Sequence, residues 1–278
     1  MKQSDVKPAT GKLGILCVGL GAVSSTFITG VLMIRKGMGK PVGSITQMAK
    51  IRVGRGDEKQ YRHVADIVPM PTLDDLVFGA WDILPDNAFE SALNAEVLKD
   101  RDIYPVKQEL ENIRPMKGVY DADYVKAIDG TWVKDTRLTR WELMEQVRED
   151  IRSFKQEHGC ERVVVIWAAS TEIYIPRCKE VHDSLDTLEA AMKADDREHI
   201  APSMCYAYAA IAEGAPFIMG APNTCIDIPA MWQLAEKCRV PIAGKDFKTG
   251  QTMMKTVLSA AFLTRMLGVN GWFSTNIL

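Results

Sequence analysis

The stretch Leu13–Gly30, LGILCVGLGAVSSTFITG, decides how the rest of the chain is read. Leu13 to Val18 is apolar apart from Gly14 and Cys17 and shows no polar alternation, which is the pattern of a strand buried on both faces of a parallel sheet. Gly19-Leu20-Gly21 then turns the chain, and Ser24, Ser25 or Thr26 is placed to cap the next segment. From Phe27 the apolar residues recur at helical spacing, Phe27/Ile28, Val31/Leu32 and Ile34, until Gly37. Strand, glycine turn and helix form the unit that sets backbone N–H groups and a helix N-terminus against a pyrophosphate. The fingerprint is incomplete. Serine or alanine stands where a third glycine belongs, and no Asp or Glu occurs between Gly19 and Asp57 to hold ribose hydroxyls. On these residues alone, a nucleotide turn and a plain tight turn both fit.

The chain has 278 residues, enough to bury a substantial core as one large or two modest domains. Its 34 basic and 36 acidic residues leave a net charge of −2, which argues against a nucleic-acid binder built on a broad basic face. No run of eighteen apolar residues is present, so no membrane span is expected, and MKQSDVKPATGK has no apolar segment of the signal-peptide kind. The six cysteines, at 17, 160, 178, 205, 225 and 238, form no CxxC and read as reduced thiols of a cytoplasmic protein. The four histidines, at 63, 158, 182 and 199, form no HxxxH or HxH, so no metal site is expected. His158, before Gly159, reads as a cation at a helix C-terminus.

Further along, residues 41–56 read as a glycine-punctuated loop and strand, where Lys50, Arg52 and Arg55 suit either an anion or plain solvation. A second strand lies within residues 73–83 and ends at Asp82, at the carboxyl edge where doubly wound sheets bind ligands. Asp82 is therefore the candidate for the missing ribose carboxylate, with a helix-initiating role as the alternative. Residues 87–99 and 103–113 read as helices, and 117–135 as an excursion without a period. Thr139 and Glu142 form a capping box for a helix ending at Gly159. RVVVIWA, residues 162–168, is another buried strand, running into Ala169-Ser170-Thr171-Glu172. Helices near 184–193 and 203–213, a strand at 216–220, a helix at 229–237 and a strand at 240–243 come next. This alternation means an α/β fold with a mostly parallel sheet.

Two polar stretches stand out as chemistry. In Gly244-Lys-Asp246-Phe-Lys248-Thr249-Gly250-Gln251-Thr252, amides, hydroxyls and Lys248 make a phosphate cradle at the start of a helix reaching Leu267. Lys255 lies one turn beyond Thr252, where a lysine in a dehydrated cleft stabilises an enolate or moves a proton, and a lysine at the surface merely snorkels. The second stretch, Asn223-Thr224-Cys225-Ile226-Asp227, reads as a strand-to-helix turn with capping side chains.

Taken together, VGLGAVSST, GSITQ, LVFGAWDI, VVVIWAASTE, APNTCIDIPA and GKDFKTGQTMMKTVL resemble, in order, the motifs of the myo-inositol-1-phosphate synthase family in its bacterial and archaeal forms. The resemblance covers the chain from Lys12 onward. It implies a Rossmann-like NAD-binding domain over residues 1–212 and the beginning of an α+β catalytic and tetramerisation domain over 213–278. It also implies a reaction in which tightly held NAD is a catalyst. Glucose 6-phosphate is oxidised at C5, the C6 proton leaves, the enolate closes on C1, and the ketone is reduced again to give 1D-myo-inositol 3-phosphate. By the same resemblance, Gly19, Gly21, Ala22, Val23, Ser24, Ser25, Thr26, Asp82, Ala168, Ala169, Ser170, Thr171 and Asp227 line the NAD site. Lys248, Lys255 and Asp246 are implied as catalytic. Asn223, Thr224, Thr249, Gly250, Gln251, Thr252 and Asn276 are implied to hold the sugar phosphate.

The chain departs from the family at Lys245-Asp246, where many relatives have two acidic residues, and at Met253, where eukaryotic forms carry a lysine. Ser274-Thr275-Asn276 resembles the start of a segment that continues in relatives, so the expectation is an incomplete copy with weak or no turnover, and a homotetramer in the longer form. Val269 to Ser274 is expected to be a sheet strand. A conventional NAD-dependent sugar-phosphate dehydrogenase and a non-catalytic NAD-binding fragment are the competing readings.

Overall fold

In the computed structural model, residues 10–247 and 250–272 are described. Lys248, Thr249 and Asn276, three of the residues singled out above, lie outside them, as do Phe273 and Ser274 of the expected last strand. The strands are β1 (Lys12–Val18), β2 (Lys50–Val53), β3 (Gln60–His63), β4 (Leu76–Asp82), β5 (Met116–Lys117), β6 (Cys160–Trp167), β7 (Phe217–Met219) and β8 (Ile242–Gly244). The helices of seven residues or more are α1 (Ala22–Arg35), α2 (Ala88–Asn94), α3 (Arg140–His158), α4 (Leu185–Lys193), α5 (Pro202–Ala212), α6 (Pro229–Cys238) and α7 (Gly250–Thr264).

Six strands form one parallel sheet in the order β5-β4-β1-β6-β7-β8. This is the Rossmann order: the chain steps outward from β1 to β4 and β5, then returns to the other side of β1 for β6. The strand order reverses at β1, and the crevice for a ligand opens at the carboxyl ends there. β1 is central because both faces of it are covered. Leu16 and Val18 join a core with α3, α5 and α6, whereas Cys17 joins a second core with Ile28 and Leu32 of α1 and Phe89 of α2. No polar alternation was needed, and none is present.

Local chemistry explains the longest helix. Thr139 Oγ1 accepts from Glu142 N (3.2 Å), Glu142 returns the bond to Thr139 N (2.8 Å), and Gly159 closes the helix at φ 63°. Elsewhere the structure shortens what periodicity alone suggested. The helix expected over 87–99 stops at Asn94, and Glu96 takes φ 51°. The helix expected over 103–113 breaks into one-turn pieces around Pro105, which lacks the N–H a continuous helix requires. Residues 50–63 make an exposed antiparallel hairpin of β2 and β3, separate from the main sheet. Residues 269–272 carry no regular structure. β7 and β8, which lie after the 212/213 boundary implied by the resemblance, pair into the same sheet as β1. Among the described residues, no helix is long and apolar enough to cross a membrane.

Candidate functional site: a cavity at the glycine turn

Gly19 leaves β1 at φ 95° and donates its N–H to Trp81 O (2.8 Å) at the end of β4. On its other side, Ala168 N at the end of β6 donates to Val18 O (2.8 Å). A side chain at Gly19 would put its Cβ 2.7 Å from the backbone of Ala169. The turn is thus fitted between both neighbouring strands, and only glycine meets the conformation and the space. Gly21 is different: a Cβ there would have nothing within 4 Å, because its open side is the cavity.

Gly21, with no side-chain cap, precedes α1, and no acidic residue occupies the first turn. The serines do not serve as caps. Ser24 Oγ donates back to Gly19 O (2.6 Å) and Ser25 Oγ donates to Ala22 O (3.4 Å), so both hydroxyls fold inward. The first N–H returned within the helix is that of Ser25, to Gly21 O (3.0 Å). The amides of Ala22 to Ser24 are therefore those a helix leaves without internal partners, at the positive end of its dipole. Such a terminus is a phosphate site.

Asp82, the candidate for the missing acidic partner, stands at the last position of β4. Its Oδ2 accepts from Leu20 N (2.6 Å) in the glycine turn and its Oδ1 from Leu84 N (3.0 Å). The carboxylate ties the turn to the end of the neighbouring strand and keeps lone pairs free to accept further hydrogen bonds.

Around this turn lies a cavity of about 1090 Å³. Gly19, Gly21, Ala22, Val23 and Asp82 line it, and Ala168, Ala169 and Ser170 form the opposite wall. Trp81, Trp167 and Tyr206 make an aromatic back wall, with ring centroids 5.3 Å apart for Trp81–Tyr206 and 5.9 Å for Trp167–Tyr206. Two of these large side chains are placed by distant groups. Tyr206 Oη accepts from Val119 N (2.7 Å), and Trp81 Nε1 donates to Asp150 Oδ2 (2.7 Å), which also pairs with Lys134 Nζ (2.7 Å). The dinucleotide turn, the open helix terminus and the strand-end carboxylate fit NAD.

Other residues singled out in the sequence lie elsewhere. Ser24 and Ser25 are buried behind the turn, Thr26 is half-buried within α1, and Thr171 is exposed beyond the cavity wall. Asn223 is turned onto Glu172: it accepts from Glu172 N (3.2 Å) and donates to Glu172 Oε2 (3.0 Å). Thr224 Oγ1 donates to Ile175 O (3.4 Å), and Asp227 pairs with Lys245. Asp246 sits at φ 65° with its N–H on Met219 O (3.1 Å), and Lys255 Nζ lies 5.7 Å from the Trp272 ring centroid. Gly250, Gln251 and Thr252 begin α7. None of the described residues from 220 onward lines the cavity.

Sequence reasoning missed Glu172, which is only 6% exposed yet reaches the cavity. It accepts from Ser203 N (2.8 Å), from Ser203 Oγ and from Asn223 Nδ2. Burial pushes its carboxyl up from 4.5 to about 7, against the lowering effect of the Ser203 bonds and of Arg140. The signal was present: a lone acid in a run of small residues directly after a buried strand.

Over residues 13–269 the sequence matches the family described as Myo-inositol-1-phosphate synthase, through its NAD-binding domain. This chain belongs to that family. Inositol-3-phosphate synthase 1 of Bacteroides thetaiotaomicron is 60% identical over 279 residues, covering 100% of this chain and 64% of that protein. Inositol-3-phosphate synthase 1 of Oryza sativa subsp. japonica is 38% identical over 89% of this chain and 51% of that protein. The crystal structure of inositol-3-phosphate synthase from Caenorhabditis elegans superimposes with a TM-score of 0.84 at 30% identity, over 94% of this chain and 53% of that one. The chain thus spans between half and two thirds of these myo-inositol-1-phosphate synthase relatives. The cofactor that goes with the matched domain is NAD.

Proposed function

We propose that this chain is the NAD-holding part of a cytoplasmic inositol-3-phosphate synthase, which isomerises D-glucose 6-phosphate to 1D-myo-inositol 3-phosphate as a homotetramer. One observation carries the reading above all: the uncapped amide terminus of α1 opens into a large cavity beside Asp82, at the point where the strand order reverses. The pyrophosphate belongs on the amides of Ala22 to Ser24, and the adenosine ribose on Asp82. The nicotinamide end then lies toward Ala168, Ala169 and Ser170 on the β6 side. When bound, NAD supplies a hydride acceptor for the C5 carbinol and the donor that restores it.

This chain's own residues hold and position. Lys248 and Lys255 are proposed to steady the developing oxyanion, and Asp246 to assist proton movement. Thr249 to Thr252 and Asn276 are proposed to hold the sugar phosphate, with Asn223 and Thr224 next to them. Asp227 is proposed to adjoin the cofactor.

Two measurements test this. Calorimetry with NAD is expected to give one site per chain. The second is phosphorus NMR of glucose 6-phosphate with NAD, using the chain together with the remaining segment of the Bacteroides relative; it is expected to show inositol phosphate with no net NADH. Net NADH would make the protein a dehydrogenase instead. NAD binding without product in that mixture would make it a non-catalytic binding module.

A further inference from the structure

Three segments meet behind the β6 wall of the cavity, and one buried side chain joins them. They are the strand-end stretch from Ala168 to Glu172, the N-terminus of α5, and the turn after β7. Ala201 precedes α5 without a side-chain cap. Glu172, arriving from 31 positions earlier in the chain, takes the Ser203 amide (2.8 Å) and the Ser203 hydroxyl instead. Its other contact is Asn223 in the turn after β7, and there both polar ends of the amide are used. Asn223 Oδ1 accepts the backbone N–H of Glu172 (3.2 Å), which leaves Nδ2 to donate to the Glu172 carboxylate (3.0 Å). The orientation of Asn223 therefore requires an acceptor at 172, and a carboxylate meets that requirement whereas a carboxamide meets it with only one of its two ends.

We propose that Glu172 is a positioning residue for the cofactor: by bridging Ser203 and Asn223 it fixes the Ala168–Ser170 wall against which the nicotinamide end rests. The inference rests on the reading of this cavity as the NAD site. Glu172 itself is not a catalytic residue, since its oxygens are occupied by protein donors. It acts through the wall it anchors.

The charged and titratable groups facing Glu172 come from each element packed on it. Arg140 of α3 favours its ionised form. Tyr124 in the loop after β5, Cys205 of α5 and Cys225 in the turn after β7 all feel its charge, and burial pushes all three up, so none ionises near neutral pH. The ionised carboxylate accepts three donors, and protonation places a hydrogen on an oxygen already in use. The bridge is therefore complete above pH 7 and weakened below it.

The test is NAD affinity, by calorimetry, between pH 5.5 and 8.5. The unsubstituted chain is expected to bind progressively less tightly as pH falls through about 7. Glu172→Gln sets a donor against Asn223 Nδ2 and is expected to bind about tenfold more weakly at pH 8, with that pH dependence gone. Adding Asn223→Asp supplies acceptors for both the carboxamide and the backbone N–H, and is expected to bring affinity back to within about threefold of the unsubstituted chain. A purely structural role would shift the melting temperature and leave the pH profile of binding in place; that result overturns the proposal. So does a Glu172→Gln chain that binds like the unsubstituted one. Failure of the unsubstituted chain to bind NAD would sink the cavity assignment and this inference together.

Discussion

Helices α1 and α7 open with the same grammar, glycine and hydroxyl residues before an apolar run, and the fold treats them in opposite ways. α1 comes after the central strand, lies on the sheet, and buries Ile28 and Leu32 against α2. α7 comes after β8, an edge strand, and leaves Met253, Val257 and Leu263 at 63%, 60% and 79% exposure. A helix after the central strand has sheet on both sides of it to pack against, and a helix after the edge strand has half as much. Position in the strand order, not local sequence, decides how much of each helix's described apolar side the fold covers.

The largest effect is expected where that wall is tightest. Gly19→Ala must hold φ 95° and bring its Cβ to within 2.7 Å of the Ala169 backbone. Strain and overlap together should destabilise the fold by roughly 2–5 kcal/mol and abolish NAD binding. Urea denaturation and calorimetry check both. A Gly19→Ala chain of normal stability that binds NAD would mean the turn is not held between β4 and β6 as described. Gly21→Ala is the contrasting case, since its side chain would meet no protein atom; it should fold normally and weaken binding alone.

Next comes pH, through Glu172. Its folded value of about 7 lies above its ordinary 4.5, so the folded state binds the proton more tightly than the unfolded one. Stability therefore rises as pH falls from above 7 toward 4.5, by roughly 3 kcal/mol in all, and is flat outside that window for this group. Glu172→Gln should remove that slope, which urea titrations at pH 5 and pH 8 would register as a loss of the difference. The same proton that weakens the bridge to Asn223 thus makes the fold more stable. Affinity and stability should move in opposite directions across pH 7.

These cases also explain what the sequence disclosed. The β1 turn was legible because its determinants are local: an unbroken apolar run, two glycines and a helical period. The Thr139–Glu142 box was legible for the same reason. The expectation that Ser24 or Ser25 caps α1 failed because a serine inside a helix competes for a carbonyl one turn back, and Gly19 O and Ala22 O took both hydroxyls. Glu172 carried a local signal, a lone acid after a buried strand, but its partners Ser203 and Asn223 stand 31 and 51 positions away, so its bridging contacts could not be read from its neighbours. Asn223 and Asp227 read as turn caps, but the fold gave their side chains to Glu172 and Lys245.

A smaller effect is expected at Asp82. Replacing it by alanine frees the Leu20 and Leu84 amides, which now donate at 2.6 and 3.0 Å. Loss of these bonds should destabilise by about 1–3 kcal/mol and weaken NAD by more than it weakens the isolated pyrophosphate if Asp82 holds the ribose as proposed. Competition between NAD and pyrophosphate in calorimetry separates the two losses. Equal losses for both ligands would mean that Asp82 serves the turn alone.

The smallest effect is expected on α7. Val257→Ser and Leu263→Ser remove side chains that the described residues leave mostly in water, so each should change stability by under about 0.5 kcal/mol. NAD affinity should not change, because none of the described residues of α7 lines the cavity. Running these melts over a hundredfold range of protein concentration tests whether anything covers α7. A helix that stays uncovered gives the same small change throughout. A change that grows with concentration would mean that a second copy covers the apolar side of α7, because only an associating species is stabilised by mass action. In that case the edge of the sheet finds in assembly the burial that α1 finds within the fold.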